Sequence, residues 1–156
     1  MDKLNILIAA SEVVPFAKSG GLADVAGALP KALRDLGHDV RVVMPRYYIV
    51  DKEKYGLKPL EGSLGVPMGS MGEAWAGVFE AVLPGSDVPV YFIEHEGFFG
   101  RKGLYDEDGE GYFDQYTGTH LRYGFNWWNY ASVIGATIVS TTVSCSLSDV
   151  DRKSVV

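Results

Sequence analysis

The chain has little of what several common chemistries require. It has one cysteine, Cys145, in 156 residues, so no internal disulfide can form and a reducing compartment is expected. That thiol stands in a Ser/Thr-rich stretch without a nearby histidine and reads as inert. There are three histidines, His38, His95 and His120, and none has metal-ligand spacing to another His, Cys or carboxylate pair. His38 falls at a helix end, where a capping or dipole contact is expected. A basic surplus is also missing. Fourteen Lys and Arg stand against 20 Asp and Glu, for a net charge of −6, which argues against a nucleic-acid surface. Long apolar runs are absent. Residues 4–10 are too few for most signal peptides and are closed by Glu12. Residues 131–147 are broken by Gly135 and many Ser and Thr, and fall short of the ~20 residues that span a bilayer. The expectation is a cytoplasmic protein without nucleic-acid or membrane partners. The Walker A pattern G-x-x-x-x-G-K-[ST] and the dinucleotide pattern G-x-G-x-x-G are both absent.

What is there is concentrated near the N-terminus. The apolar run at 4–10 reads as a buried strand. Lys18-Ser19-Gly20-Gly21-Leu22 follows, and then an amphipathic run over 22–36 with apolar residues at 22, 25, 26, 29, 33 and 36. A strand, a glycine loop and a helix aim backbone N–H groups and the positive end of a helix dipole at one point, which favours an anion such as a phosphate. Lys18 adds a mobile charge beside it. The same pattern also fits a plain glycine turn between a strand and a helix.

Pro30 inside the helical pattern predicts a split, with Pro30 opening the second piece. Gly37 is placed for a C-cap, and residues 40–44 read as a second, parallel strand ended by Pro45. Texture is irregular over 47–72. Residues 73–83 and 88–94 read as two strands of a hairpin around the turn at 84–87, with Pro89 at an edge or a strand start. The fold class is therefore α/β, a parallel sheet with a β-hairpin insertion. The acidic loop over 97–114 invites a calcium reading. Numbered from Asp106, it offers Asp108, Glu110 and Gly111 in place, but Thr117 stands where a bidentate Glu is required, so no metal is expected.

The segment from 4 to 47, ILIAASEVVPFAKSGGLADVAGALPKALRDLGHDVRVVMPRY without its first two residues, closely resembles the start of bacterial glycogen synthases and plant starch synthases. That family usually writes the loop K-T-G-G-L, and Ser19 keeps the hydroxyl. VPVYFIEHEGFFGRKGLYDEDGEGY is similar to the family's strand and acceptor-side loop, and the resemblance covers about residues 4–114.

It implies that the parallel sheet is Rossmann-like and is part of the N-terminal domain of a GT-B glycosyltransferase over residues 1–116, with a divergent tail over 117–156. The final six residues (DRKSVV) read as translated sequencing-adapter DNA, so the C-terminus is expected to be foreign to the fold. The implied reaction transfers glucose from ADP-glucose to the non-reducing end of an α-1,4-glucan with retention. ADP-glucose and the glucan are then the partners, and no cofactor or metal is needed. The isolated chain is expected to be inactive, because it supplies only half of the cleft, and no certain catalytic residue falls within it.

Substrate-binding positions carried over are Lys18 on the donor phosphates, Gly20 and Gly21 at the diphosphate, Asp24 near the sugar or acceptor, Glu12 near the cleft, and Tyr105 on the acceptor side. Asp24 is equally explained as a first-turn carboxylate on the helix dipole, and Tyr105 as a packed loop tyrosine. The alternative function is a stand-alone nucleotide- or glucan-binding module without catalysis, in the second case through Phe98, Phe99, Tyr105 and Tyr112.

Overall fold

A computed structural model describes residues 3–67, 72–100, 102–104, 106–107, 110–111 and 137–140. Tyr105, Asp108, Tyr112, Thr117, His120 and Cys145 lie outside the described residues, as does the tail apart from 137–140.

Strand β1 (Asn5–Ala9) leads through the glycine loop into helix α1 (Gly21–Asp35), which returns to β2 (Asp39–Pro45). Two short strands, β3 (Lys58–Pro59) and β4 (Leu64–Pro67), precede β5 (Glu73–Val82) and β6 (Pro89–Glu94). Helix α2 (Glu96–Phe99), the small hairpin β7 (Asp106–Glu107) and β8 (Glu110–Gly111), and β9 (Thr137–Ser140) complete the described elements. The main sheet has the order β3-β5-β6-β2-β1-β9, with β4 also pairing to β5. β9, β1, β2 and β6 run parallel, and β5 turns antiparallel to β6. The Rossmann-like α/β sheet and its hairpin are thus as the sequence implies, and Pro89 stands at a strand start.

β1 carries Ile6, Leu7, Ile8 and Ala9, all buried, which is the continuous apolar reading of a strand covered on both faces. In register across β2 and β6, Ile8 meets Val42, Val42 meets Val90, and Met44 meets Phe92. Phe92 continues the core outward. Its ring meets Phe16 edge-on at 4.9 Å, and Phe16 meets Tyr55 at 4.8 Å. The Tyr55 hydroxyl donates to the Pro15 carbonyl at 2.8 Å. The segment that leads from β1 to the glycine loop is therefore fixed from below.

Helix α1 differs from expectation in two ways. It is one helix, not two, with Pro30 inside it and buried. The missing N–H costs one intrahelical bond, and burial of the ring offsets that loss. Its buried stripe is Ala23, Ala26, Gly27 and Pro30, while Leu29 and Leu33 pack only partly against the core and Val25 and Leu36 are exposed. Small residues win the central positions because the helix lies close to the segment after β1: the Val14 N–H donates to the Ala23 carbonyl at 3.1 Å. The irregular stretch over 47–72 hides β3 and β4, which are too short to show alternation.

The C-terminus of α1 ends as a Schellman motif. Gly37, at φ 94°, donates to the Arg34 carbonyl and His38 to that of Leu33. The His38 ring is buried and its Nδ1 accepts the Leu4 N–H at 3.3 Å, so the residue both closes the helix and ties it to the start of β1.

A Cβ at Gly27 would stand 2.4 Å from Val14 Cγ2 and 3.0 Å from the Val14 carbonyl oxygen. Gly27→Ala is therefore expected to destabilise by about 1–3 kcal/mol despite the better helix propensity of alanine. Urea denaturation of this variant against the parent checks it, and a neutral or stabilising result would mean that the helix can move away from Val14 freely.

Candidate functional site

In open α/β sheets, ligands bind beyond the carboxyl ends of the parallel strands. Here three such ends carry polar groups: residues 10–24 after β1, Arg46 to Tyr48 after β2, and Glu94 to Glu96 at β6 and just beyond.

After β1 the chain places Glu12, a buried residue at 3% exposure. A buried carboxylate needs donors, and the glycine loop supplies them. Glu12 Oε2 accepts the N–H groups of Ser19 at 2.5 Å and Gly20 at 3.1 Å, and Oε1 accepts the Ser19 hydroxyl at 2.7 Å. This modifies the sequence expectation of a loop with all its N–H groups open. Two of them are taken internally. Among the described residues, those of Gly21, Leu22 and Ala23, in the first turn of α1, are the donors left at the helix start. Gly20 is the N-cap residue in an extended conformation, φ −144° and ψ −163°. A Cβ at Gly20 or Gly21 would meet nothing within 4 Å, so nothing in the described structure crowds either position.

Lys18 and Asp24 come together in an exposed ion pair, with Nζ 2.8 Å from both carboxylate oxygens. Five of the six predicted site residues, Glu12, Lys18, Gly20, Gly21 and Asp24, thus form one cluster at the β1–α1 junction. Tyr105 is outside the described residues.

The ends of β2 and β6 hold a second cluster that the sequence reading passed over. Glu94 Oε1 is shared by Arg46 at 2.5 Å and Lys52 at 2.8 Å. Lys52 also lies over the Phe79 ring at 4.1 Å, and the Arg46 guanidinium lies over Tyr48 at 5.8 Å. The Tyr48 hydroxyl donates to the Glu96 carboxylate, which holds the phenol above its ordinary range. Burial pushes the Glu94 carboxyl up, but the hydrogen bonds from Lys52 and Arg46 outweigh it and hold the group below its ordinary value. Arg46 Nε and His95 Nδ1 are buried without a hydrogen-bond partner among the described residues, and the His95 ring stacks on Phe98 at 4.4 Å. Arg46 and Glu94 stand next to or at the ends of β2 and β6, and the pairing of these two strands brings them together, which no local pattern in the sequence reports.

The profile of the starch synthase catalytic domain matches residues 5–134. The chain belongs to this family. Glycogen synthase 1 of Geobacter sulfurreducens is 65% identical over 114 residues, which are 73% of this chain and 23% of that protein. The glycogen synthase of Treponema denticola is 53% identical over 102 residues, 65% of this chain and 20% of that protein. The chain therefore spans about a quarter or less of the length of these curated relatives. Among solved structures, the catalytic domain of starch synthase IV from Arabidopsis thaliana, bound to ADP and acarbose, superposes with a TM-score of 0.69 at 24% identity, over 89% of this chain and 28% of that one. At that identity the likeness shows a shared fold. Membership in the starch synthase family covers the whole β1–α1 junction and the β5–β6 hairpin.

The depressed Glu94 value has a direction in pH. A carboxyl lower in the folded than in the unfolded chain stabilises above its unfolded value of 4.5, and that contribution is lost as pH falls through the folded value. Glu94→Gln is expected to be less stable than the parent at neutral pH, by about 1 kcal/mol or less for a partly exposed cluster. The gap should close as pH drops below 4.5, read from denaturation midpoints across pH. A gap that does not change with pH would mean that the ion cluster contributes packing and not charge.

Proposed function

We propose that this chain is the donor-phosphate-binding part of a glucan synthase that transfers glucose from ADP-glucose to the non-reducing end of an α-1,4-glucan, with retention at the anomeric carbon. The observation that carries this reading is the β1–α1 junction: first-turn N–H groups, a lysine on a mobile stem, and two glycines that none of the described residues crowds. Space left beside Gly20 and Gly21 suits a ligand that approaches the backbone closely. The ADP in the starch synthase IV structure is a ligand of the same class.

In this reading the glycosidic bond to ADP breaks and negative charge grows on the terminal phosphate oxygen. Lys18 and the N–H groups of the first helical turn stabilise that charge, and an arrangement fixed in advance does so without reorganising. To reach the phosphate, Lys18 gives up its exposed pairing with Asp24, a contact weak enough to exchange. Asp24 is then released at the loop, beside the sugar or the acceptor. Tyr105 offers an aromatic face to a glucose ring on the acceptor side. The donor is a substrate and no further cofactor is invoked; cationic charge at the phosphates comes from Lys18 and the helix. The reaction cleft of the GT-B architecture lies between two Rossmann-like domains, of which this chain contributes to the first.

A graft tests the reading in a whole enzyme. The 114-residue stretch of this chain that is 65% identical to Geobacter sulfurreducens glycogen synthase 1 replaces the matching segment of that protein. Glucosyl transfer from ADP-glucose is expected to persist in the graft and to fall by about a hundredfold or more with Lys18→Ala, the scale for removing one preorganised donor to a developing charge. A graft that folds but transfers nothing, or a Lys18→Ala graft that transfers normally, would remove the assignment.

A further inference from the structure

The buried carboxylate of Glu12 takes on the face of it the wrong side of the chemistry, since a negative charge under a phosphate loop opposes the ligand. Its contacts point to a different role. Both Glu12 oxygens reach one dipeptide: Oε2 accepts the N–H groups of Ser19 and Gly20, and Oε1 accepts the Ser19 hydroxyl. Glu12 is buried just after β1, on a segment held by the Phe16 contacts with Phe92 and Tyr55 and by the Val14–Ala23 backbone bond. The anchor is rigid and the loop is not otherwise capped, because the N-cap Gly20 has no side chain to accept a first-turn N–H.

We propose that Glu12 is a positioning residue that turns the N–H groups of Ser19 and Gly20 inward, and so sets those of Gly21, Leu22 and Ala23 outward at the place where the donor's diphosphate binds. This deepens the proposed function and rests on it for the identity of the ligand. The hydroxyl of Ser19 is the second half of the device: it lets one carboxylate hold the loop at two adjacent residues, which fixes the loop's direction as well as its position.

The sign of one measurement separates this role from a simple charge effect. If Glu12 acted only through its charge, Glu12→Gln would relieve repulsion and tighten anion binding. If it positions the loop, loss of charge-assisted hydrogen bonds weakens binding, by at least about tenfold for one such bond. The 156-residue chain, labelled with nitrogen-15, is titrated with inorganic pyrophosphate as parent, Glu12→Gln and Ser19→Ala, and amide hydrogen exchange is followed in each. The expected result is weaker pyrophosphate binding in both variants, with faster exchange at the Ser19 and Gly20 amides in Glu12→Gln and at Gly20 in Ser19→Ala, while the β1 amides are unchanged. Equal or tighter binding in a folded variant overturns the proposal, as does unaltered exchange at these amides. If Glu12→Gln does not fold, Ser19→Ala decides by the same two readouts. If the parent itself shows no pyrophosphate response, the phosphate reading of this loop fails; exchange then judges the hold of Glu12 alone, faster exchange confined to the loop supporting it and unaltered exchange refuting it.

Discussion

The rest of the structure depends on how closely the start of α1 approaches the segment after β1. Gly27 lies against Val14, and Val14 bonds the backbone of Ala23. This contact fixes where the helix begins relative to the strand, and with it the spacing across which the loop of residues 18–21 must reach. A bulkier stripe would lift the helix and move its first-turn donors away from the strand end. The choice of Ala23, Ala26 and Gly27 in place of larger apolar residues is therefore a matter of distance as much as of core volume.

Much of this was legible in the sequence because it is written in short-range patterns. The apolar run of β1, the β-branched run of β2, Gly37 past the helix end and the turn at 84–87 each obey a local rule, and the structure follows them. What failed was the inference from size. The large residues at 25 and 36 suggested the buried face, yet small ones occupy it, because the decisive neighbour, Val14, is distant along the chain from Gly27 and no periodicity reports it. Pro30 misled for a related reason. Its cost to an isolated helix is local and visible, whereas the burial that offsets it is tertiary.

The site divides the same way. Lys18, Gly20, Gly21 and Asp24 stand in one contiguous motif and could be read together. That Glu12 turns back to hold Ser19 and Gly20 could not be read from the motif, since only the folded path of residues 13–17 brings the carboxylate under the loop. The cluster of Arg46, Lys52 and Glu94 needs two strands to be neighbours in the sheet although they are far apart in sequence, and is invisible until β2 and β6 pair.

The two ends of α1 are held by interactions of different kinds. At its start a buried carboxylate holds the loop through part-buried hydrogen bonds to backbone N–H groups and a hydroxyl, not through ion pairs. At its far end, Arg34 pairs with Asp39 and with the largely exposed Asp87, and Lys31 donates to the Pro84 carbonyl, which ties the helix to the β5–β6 turn across the surface. Added salt screens the second set and hardly touches the first. Ionic strength thus acts on this helix as on a lever clamped at one end: it loosens the hairpin's grip while the first turn keeps its place.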